Sequence, residues 1–471
     1  MSRLRNRPGN PKLVLAIILT VQLMIVLDAS IVITALPEIH SDLGFSPTSL
    51  SWVQNAYILT FGGLLLLGAR AGDLLGRRRV FIAGLSLFVG ASFLGGQAQS
   101  EAWLLGARAL QGVGAAIAAP STLALLTTTF AEGGARTRAI SMYSSASAAG
   151  ASIGVLLGGL LTDLLSWRWG LFINVPIGIT MVALAPIHLP DTEPRHGHFD
   201  LAGATTSVTG MSAAVYGFIR AASDGWGDPV TLGAFAAAAA LLAAFVRIER
   251  RAEQPITPLR LFASRTRSGA YGARMLAVGG MFSMFFFLTQ YLQGVRGESP
   301  LEAGVSFLPM TLVLFALVRA VPRLAARIGD LPLLLGGLVT ATVAMAWLSQ
   351  ITETTSFLPG IGVPLVLMGI GMGAAFTPLT TAGIHAVSDA DAGAASGLVN
   401  VAHQVGGAIG IAVLVNVFTA AGGEDGSPAD FAHGLSTALS GSVVCLLLAL
   451  TVVVGVMWRP AYATLRGAVT S

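Results

Sequence analysis

Charged side chains are scarce in this 471-residue sequence, at 11%, where a soluble globular protein carries about 25%. Hydrophobic residues make up 54%, and mean hydropathy is +0.75. No soluble core can bury that much apolar surface, so a soluble enzyme, a disordered regulator and a nucleic-acid-binding domain are excluded. Lysine occurs once, as Lys12, and the residue before it is Pro11. A P-loop needs Gly-Lys, so ATP hydrolysis by that route is excluded too. Cysteine also occurs once, as Cys445 within an apolar run, and no intramolecular disulfide can form. Alternating short apolar strands are lacking as well, which removes an outer-membrane barrel. The net charge of +4 needs no nucleic-acid partner, because basic residues of membrane proteins mark orientation. Arginine outnumbers lysine 26 to 1 beside abundant alanine and glycine, a usage that points to a GC-rich bacterial genome.

What the sequence does have is long apolar runs. Fourteen are read, near 13–36, 49–69, 80–98, 103–130, 139–161, 167–189, 201–220, 230–246, 269–292, 302–322, 331–350, 357–386, 393–419 and 435–458. A span needs about 20 apolar residues, since a helix rises about 1.5 Å per residue through a hydrocarbon core about 30 Å thick. The seventh run is the weakest, being rich in Ser, Thr and Gly. The first follows Arg3, Arg5 and Arg7, but it is too long for a cleaved leader and reads as a signal-anchor. With the N-terminus inside and the runs alternating, inner segments hold 21 basic residues and outer loops three, Arg168, Arg220 and Arg296. Arg108, Arg274 and Arg319 fall within spans. That bias predicts an all-α integral membrane protein with fourteen transmembrane helices and both ends in the cytoplasm. Without the seventh span, six arginines of 247–267 would lie outside.

The two ends of the chain echo each other. Gly112-Val-Gly-Ala-Ala116 with Pro120 resembles Gly371-Met-Gly-Ala-Ala375 with Pro378. The run with Gly150, Gly154, Gly158 and Gly159 resembles that with Gly406, Gly407 and Gly410, and loop 70–77 resembles 323–330. The expected organisation is a six-helix bundle in 1–190, a two-helix insert in 191–265 and a second six-helix bundle in 266–471. Parallel repeats around a central binding site are a transporter signature.

Few residues here can carry chemistry. Asp28 sits deep in the first run, where a carboxylate is costly unless it is paired or takes up a proton. It reads as a proton carrier, and the bland alternative is a packing carboxylate. Arg108, within the fourth run, cannot shed its proton. Asp28 is its obvious partner, and protonation of the acid would weaken the attraction, a two-state switch. Asp73, Gly76 and Arg77 lie in the short loop after the second run and read as a cytoplasmic latch, or as an orientation signal alone. Gly150, Gly154, Gly158 and Gly159 fit close helix packing. Gly150-Ala-Ser-Ile-Gly154 also matches a nucleophile-elbow pattern, but it lies mid-span without the strand that a hydrolase needs. Polar and aromatic residues on spans, namely Trp52, Gln54, Asn55, Tyr57, Gln290, Tyr291, Asn400 and His403, are candidates to line a substrate cavity. They can equally serve as interfacial anchors or packing hydrogen bonds, and a lone histidine is more often structural.

Together these segments resemble the Major Facilitator Superfamily, in particular its fourteen-span drug:proton antiporter branch. The residues that carry the likeness are LDASIVITALP (27–37), SWVQNAYILT (51–60), GDLLGRRR (72–79), LLGARALQGVGAA (104–116), SWRWGLFINVPIG (166–178) and TQYLQ (289–293). Ala69 stands where the loop motif has its first glycine, Val155 where the fifth-span motif has proline, and His403 where arginine is frequent. The resemblance implies alternating access by two six-helix bundles and export of small amphipathic molecules in exchange for protons. Import or uniport of a small metabolite stays open because of Val155, and so does a non-transporting membrane sensor. No enzyme activity, cofactor, metal or nucleic acid is expected. The expected partners are a small-molecule substrate, protons and the lipid bilayer, around a monomer in the bacterial cytoplasmic membrane.

Overall fold

The computed structural model describes residues 10–130, 134–191, 199–387, 391–424 and 426–458. Arg3, Arg5, Arg7, Arg195, Arg459 and Arg466, counted above as inner-side signals, lie outside the described residues. No strand occurs among the described residues. The helices in order are α1 Pro11–Leu43, α2 Ser51–Leu75, α3 Arg77–Gly96, α4 Glu101–Thr129, α5 Gly134–Leu164, α6 Trp167–Phe172, α7 Asn174–His188, α8 Leu201–Asp224 and α9 Pro229–Glu249. They continue with α10 Arg265–Gly294, α11 Pro300–Ser306, α12 Leu308–Ile328, α13 Asp330–Leu348, α14 Phe357–Gly360, α15 Gly362–Gly383, α16 Ala392–Ala420 and α17 Pro428–Val452.

Local chemistry sets the helix ends. Asn10 caps α1 by accepting from the Lys12 amide at 3.0 Å, with Pro11 in the first turn, where its missing N–H costs nothing. Gly44, at φ 74°, closes the same helix and returns its N–H to the His40 carbonyl. Ser100 caps α4 through the Trp103 amide.

Each of the fourteen apolar runs falls on helix. Among the described residues, twelve helical stretches are long and apolar enough to cross a membrane. A shorter apolar helix, Ile153–Leu164, lies within α5, and α8, with 24 residues, is diluted by Ser, Thr and Gly. Among the described residues, length and composition therefore establish twelve candidate spans.

The chain divides into two compact units. One comprises Met1–Ser212, Ala238–Ile256 and Glu298–Val305; the other comprises Ala213–Ala237, Thr257–Gly297 and Ser306–Ser471. The first packs α4 on α2 and α3, and α1 on α5; the second packs α15 on α12 and α13, and α10 on α16. These are the same pairings at the sequence offset of the repeats. The crossings match atom for atom where backbones touch. A Cβ on Gly114 would lie 2.6 Å from the Phe88 nitrogen, and one on Gly371 2.5 Å from the Ala341 nitrogen. Along α5, a Cβ on Gly154 would lie 2.7 Å from that of Ser30, and one on Gly158 2.6 Å from the Ile31 carbonyl oxygen. Gly150 faces Val26 in the same row, while Gly159 turns instead to Pro300 and Leu301. Close helix approach is what these small residues permit.

Candidate functional site

Asp28 lies on α1 with no solvent exposure, and four neighbouring helices reach it or its partners. From α4, Arg108 donates Nη1 to Asp28 Oδ2 at 2.7 Å and Gln111 donates Nε2 to Oδ1 at 3.0 Å. From α7, Asn174 donates Nδ2 to Oδ1 at 2.7 Å. From α3, Ser92 accepts the Gln111 amide at 2.7 Å. From α2, the Val53 carbonyl accepts Arg108 Nε at 3.1 Å, and the Tyr57 ring lies 4.5 Å beneath the guanidinium. Arg108, Gln111, Asn174 and Ser92 are as fully buried as the acid. The carboxylate is thus held by one cation and two amides, the arrangement that makes a buried charge tolerable.

The cluster is satisfied on the carboxylate side and incomplete around it. Arg108 Nη2, Tyr57 OH and Asn174 Oδ1 are buried without a hydrogen-bond partner among the described residues. So are Gln54 Nε2 and both polar atoms of the Asn55 side chain, between Val53 and Tyr57 on α2. Such atoms cost free energy where they stand. Sequence reasoning identified Asp28, Arg108 and Tyr57 but passed over Gln111, Ser92 and Asn174. Gln111 is signalled by its place one turn after Arg108. Asn174 stands within the quoted SWRWGLFINVPIG segment, without a role assigned there.

Beyond this cluster, Arg77 pairs with Asp73 at 3.0 Å and donates to the Ala124 carbonyl at 3.2 Å, which ties the loop after α2 to the end of α4. Gly76 joins α2 to α3 at φ 94°, a backbone region that favours glycine. Arg78 pairs with Asp191 at 2.6 Å.

The second unit holds the remaining expected residues. Tyr291 is fully buried and donates its hydroxyl to the Thr352 carbonyl at 2.6 Å. Gln290 donates to Phe286 of its own helix, and Asn400 to Ser396 of its own. His403 stands edge-on to Phe282 and tilted against Phe376, with Nδ1 buried and unpartnered among the described residues. Trp52, in the first unit, is partly exposed.

A sequence model for the Major Facilitator Superfamily matches residues 18–411. The chain belongs to the Major Facilitator Superfamily. It is accordingly a multi-span membrane transporter of small molecules, and not an enzyme. It is 41% identical over 453 residues to the puromycin resistance protein pur8 of Streptomyces alboniger, covering 94% of this chain and 88% of that one. It is 40% identical over 455 residues to the cephamycin export protein CmcT of Amycolatopsis lactamdurans, covering 96% and 93%. Among solved structures, the nucleoside transporter NupG matches with a TM-score of 0.67 at 11% identity, over 95% of this chain and 100% of that chain. At that identity the likeness is one of fold.

Proposed function

We propose that this protein exports a small amphipathic molecule, a drug or an antibiotic, in exchange for protons by alternating access. The observation that carries the reading is the buried Asp28, held by Arg108, Gln111 and Asn174 in the first unit. An ionised Asp28 cancels Arg108; a protonated Asp28 leaves the guanidinium uncompensated, and the helices that share the cluster must respond. Substrate and proton then compete for the state of one carboxylate. The relatives named for antibiotic resistance and export support outward direction. The driving force suffices: one proton moving inward down about 150 mV yields about 3.5 kcal/mol, enough for a gradient of a few hundredfold.

In this reading the chain forms two six-helix bundles, 1–190 and 266–471, with the two helices of 191–265 inserted between them in sequence. It crosses the bacterial cytoplasmic membrane fourteen times with both ends inside and works as a monomer. Asp73, Gly76 and Arg77 act as the latch, and Trp52, Gln54, Asn55, Tyr57, Gln290, Tyr291, Asn400 and His403 contribute to the substrate path. Puromycin and a cephamycin are the first compounds to try. Adding either to proteoliposomes should release protons into the medium, and no release with any exported compound would remove antiport. A reporter fused after residue 260 should read cytoplasmic and one after residue 425 external. Either fusion reading the opposite way contradicts the fourteen-span arrangement.

A further inference from the structure

Arg274 on α10 is a cation inside a membrane-spanning helix for which sequence reasoning assigned no partner. Its Nη1 donates to the Thr380 hydroxyl at 2.9 Å and to the Phe376 carbonyl at 3.4 Å, both on α15. Its guanidinium lies 5.2 Å from the centre of the Phe376 ring. Every one of these partners is neutral. Among the described residues no carboxylate pairs with it, and its Nε is buried without a hydrogen-bond partner. Asp391, at the start of α16, is engaged by Arg260 through two bonds of 2.9 and 2.6 Å. Beside Phe376 stands His403, whose Nδ1 is also buried and unpartnered, with Phe282 against its other side.

Arg108 and Arg274 thus differ in a decisive way. The first is neutralised within its own unit by Asp28. The second keeps a full positive charge, since arginine does not deprotonate, in surroundings where an unpaired ion is costly. Hydroxyl and carbonyl contacts orient the guanidinium without cancelling its charge. Thr380 occupies one edge of the fork, while Nε remains free to donate. The Phe376 ring lies against the group, which suits a conjugated anion lying flat beside a planar cation.

We propose that Arg274, with Thr380, Phe376 and His403, forms a recognition site for a carboxylate or equivalent planar anion on the transported molecule. The assignment rests on the transport reading for the origin of the anion. It adds that the substrate class includes anionic and zwitterionic amphiphiles.

The test uses the full chain in nanodiscs of neutral phosphatidylcholine, with benzoate as probe and benzamide as its uncharged counterpart. Benzoate should bind about tenfold more weakly to Arg274→Gln than to the parent, the loss expected for a hydrogen bond to a charged group. Benzamide should not distinguish the two. Equal benzoate affinity in parent and variant, or benzamide binding as tightly as benzoate, overturns the site. If Arg274→Gln does not fold, Arg274→Lys replaces the planar fork by a point charge and should still weaken benzoate several-fold; no change there overturns the site equally. Discs containing phosphatidylglycerol separate the two sources of anion. Benzoate affinity should be unaltered, whereas displacement by this lipid only where Arg274 is present would make a headgroup the ligand and overturn the substrate assignment. Binding is read without a gradient. Failure here leaves proton antiport at Asp28 standing, and failure of antiport leaves benzoate binding intact.

Discussion

Asn174 points its amide nitrogen at Asp28 Oδ1, 2.7 Å away, and leaves its own carbonyl oxygen buried without a partner among the described residues. That orientation suits an ionised acid, which can only accept. When Asp28 takes up a proton, one carboxyl oxygen becomes a donor and needs an acceptor. Arg108 has none to offer, and Gln111 Oε1 already accepts Arg108 Nη1 at 2.9 Å. A half-turn of the Asn174 carboxamide would present its idle oxygen to the new O–H, so the same side chain would serve both protonation states.

This gives a spectroscopic expectation. In infrared difference spectra of the reconstituted protein, acidification should raise a protonated-carboxyl band that is absent from Asp28→Asn. Asn174→Leu should move that band to higher frequency, because the acid loses its acceptor, while Asn174→Thr, which keeps a hydroxyl, should restore part of the shift. A band unmoved by Asn174→Leu would place the proton against some other group.

The Asp73–Arg77 pair predicts a kinetic phenotype. Both side chains are partly exposed, at 33% and 22%, so the bond itself adds little stability. Its expected role is to bias the loop that joins α2 to α3. Asp73→Asn should slow transport at matched expression and leave substrate binding within a few-fold. Equal rates in variant and parent would reduce the loop to an orientation signal.

A third expectation concerns pH and the turn between α8 and α9. Asp228 accepts from Arg220 Nε at 2.8 Å and from the Thr231 amide at 2.9 Å, where it caps α9. The Arg220 bond, followed by the Thr231 amide, holds its carboxyl below the usual aspartate value. A depressed value contributes stability that is present above the ordinary aspartate range and is lost as pH falls through the folded-state value. Protection of the amides in the first turn of α9, measured against their intrinsic exchange rates, should therefore fall on acidification below the ordinary aspartate range. Asp228→Asn should lower that protection at neutral pH and flatten its acid dependence. Unchanged protection in the variant would show that the turn is held by packing.

The sequence made part of this legible for a physical reason. An ionisable group inside an apolar run is so costly that its partner can be named unseen, and Asp28 and Arg108 do pair. Glycines spaced by four pointed to a close helix approach without naming the partner, and the fold sets Gly150, Gly154 and Gly158 against α1. Uncharged polar residues gave no such signal. Asn174 and Ser92 look like any span residue until the fold brings them to Asp28 or Gln111. Gln290 and Asn400, read as candidates for a cavity, also each bond a carbonyl four residues back on their own helix. Tyr291 finds a carbonyl at Thr352, far away in sequence. Residue type at a span position does not reveal which of these outcomes holds, and α8, short of apolar residues, does not announce its depth.

The most direct test of the account is uphill transport by Asp28→Asn, which keeps the size and polarity of the side chain and removes its titration. Proteoliposomes carrying the parent protein, with a pH gradient imposed, should concentrate puromycin or a cephamycin against its gradient. Those carrying Asp28→Asn should only equilibrate it, and should release no protons when it is added. If Asp28→Asn still concentrates the compound with the pH response of the parent, the proton is carried elsewhere and the central claim is contradicted.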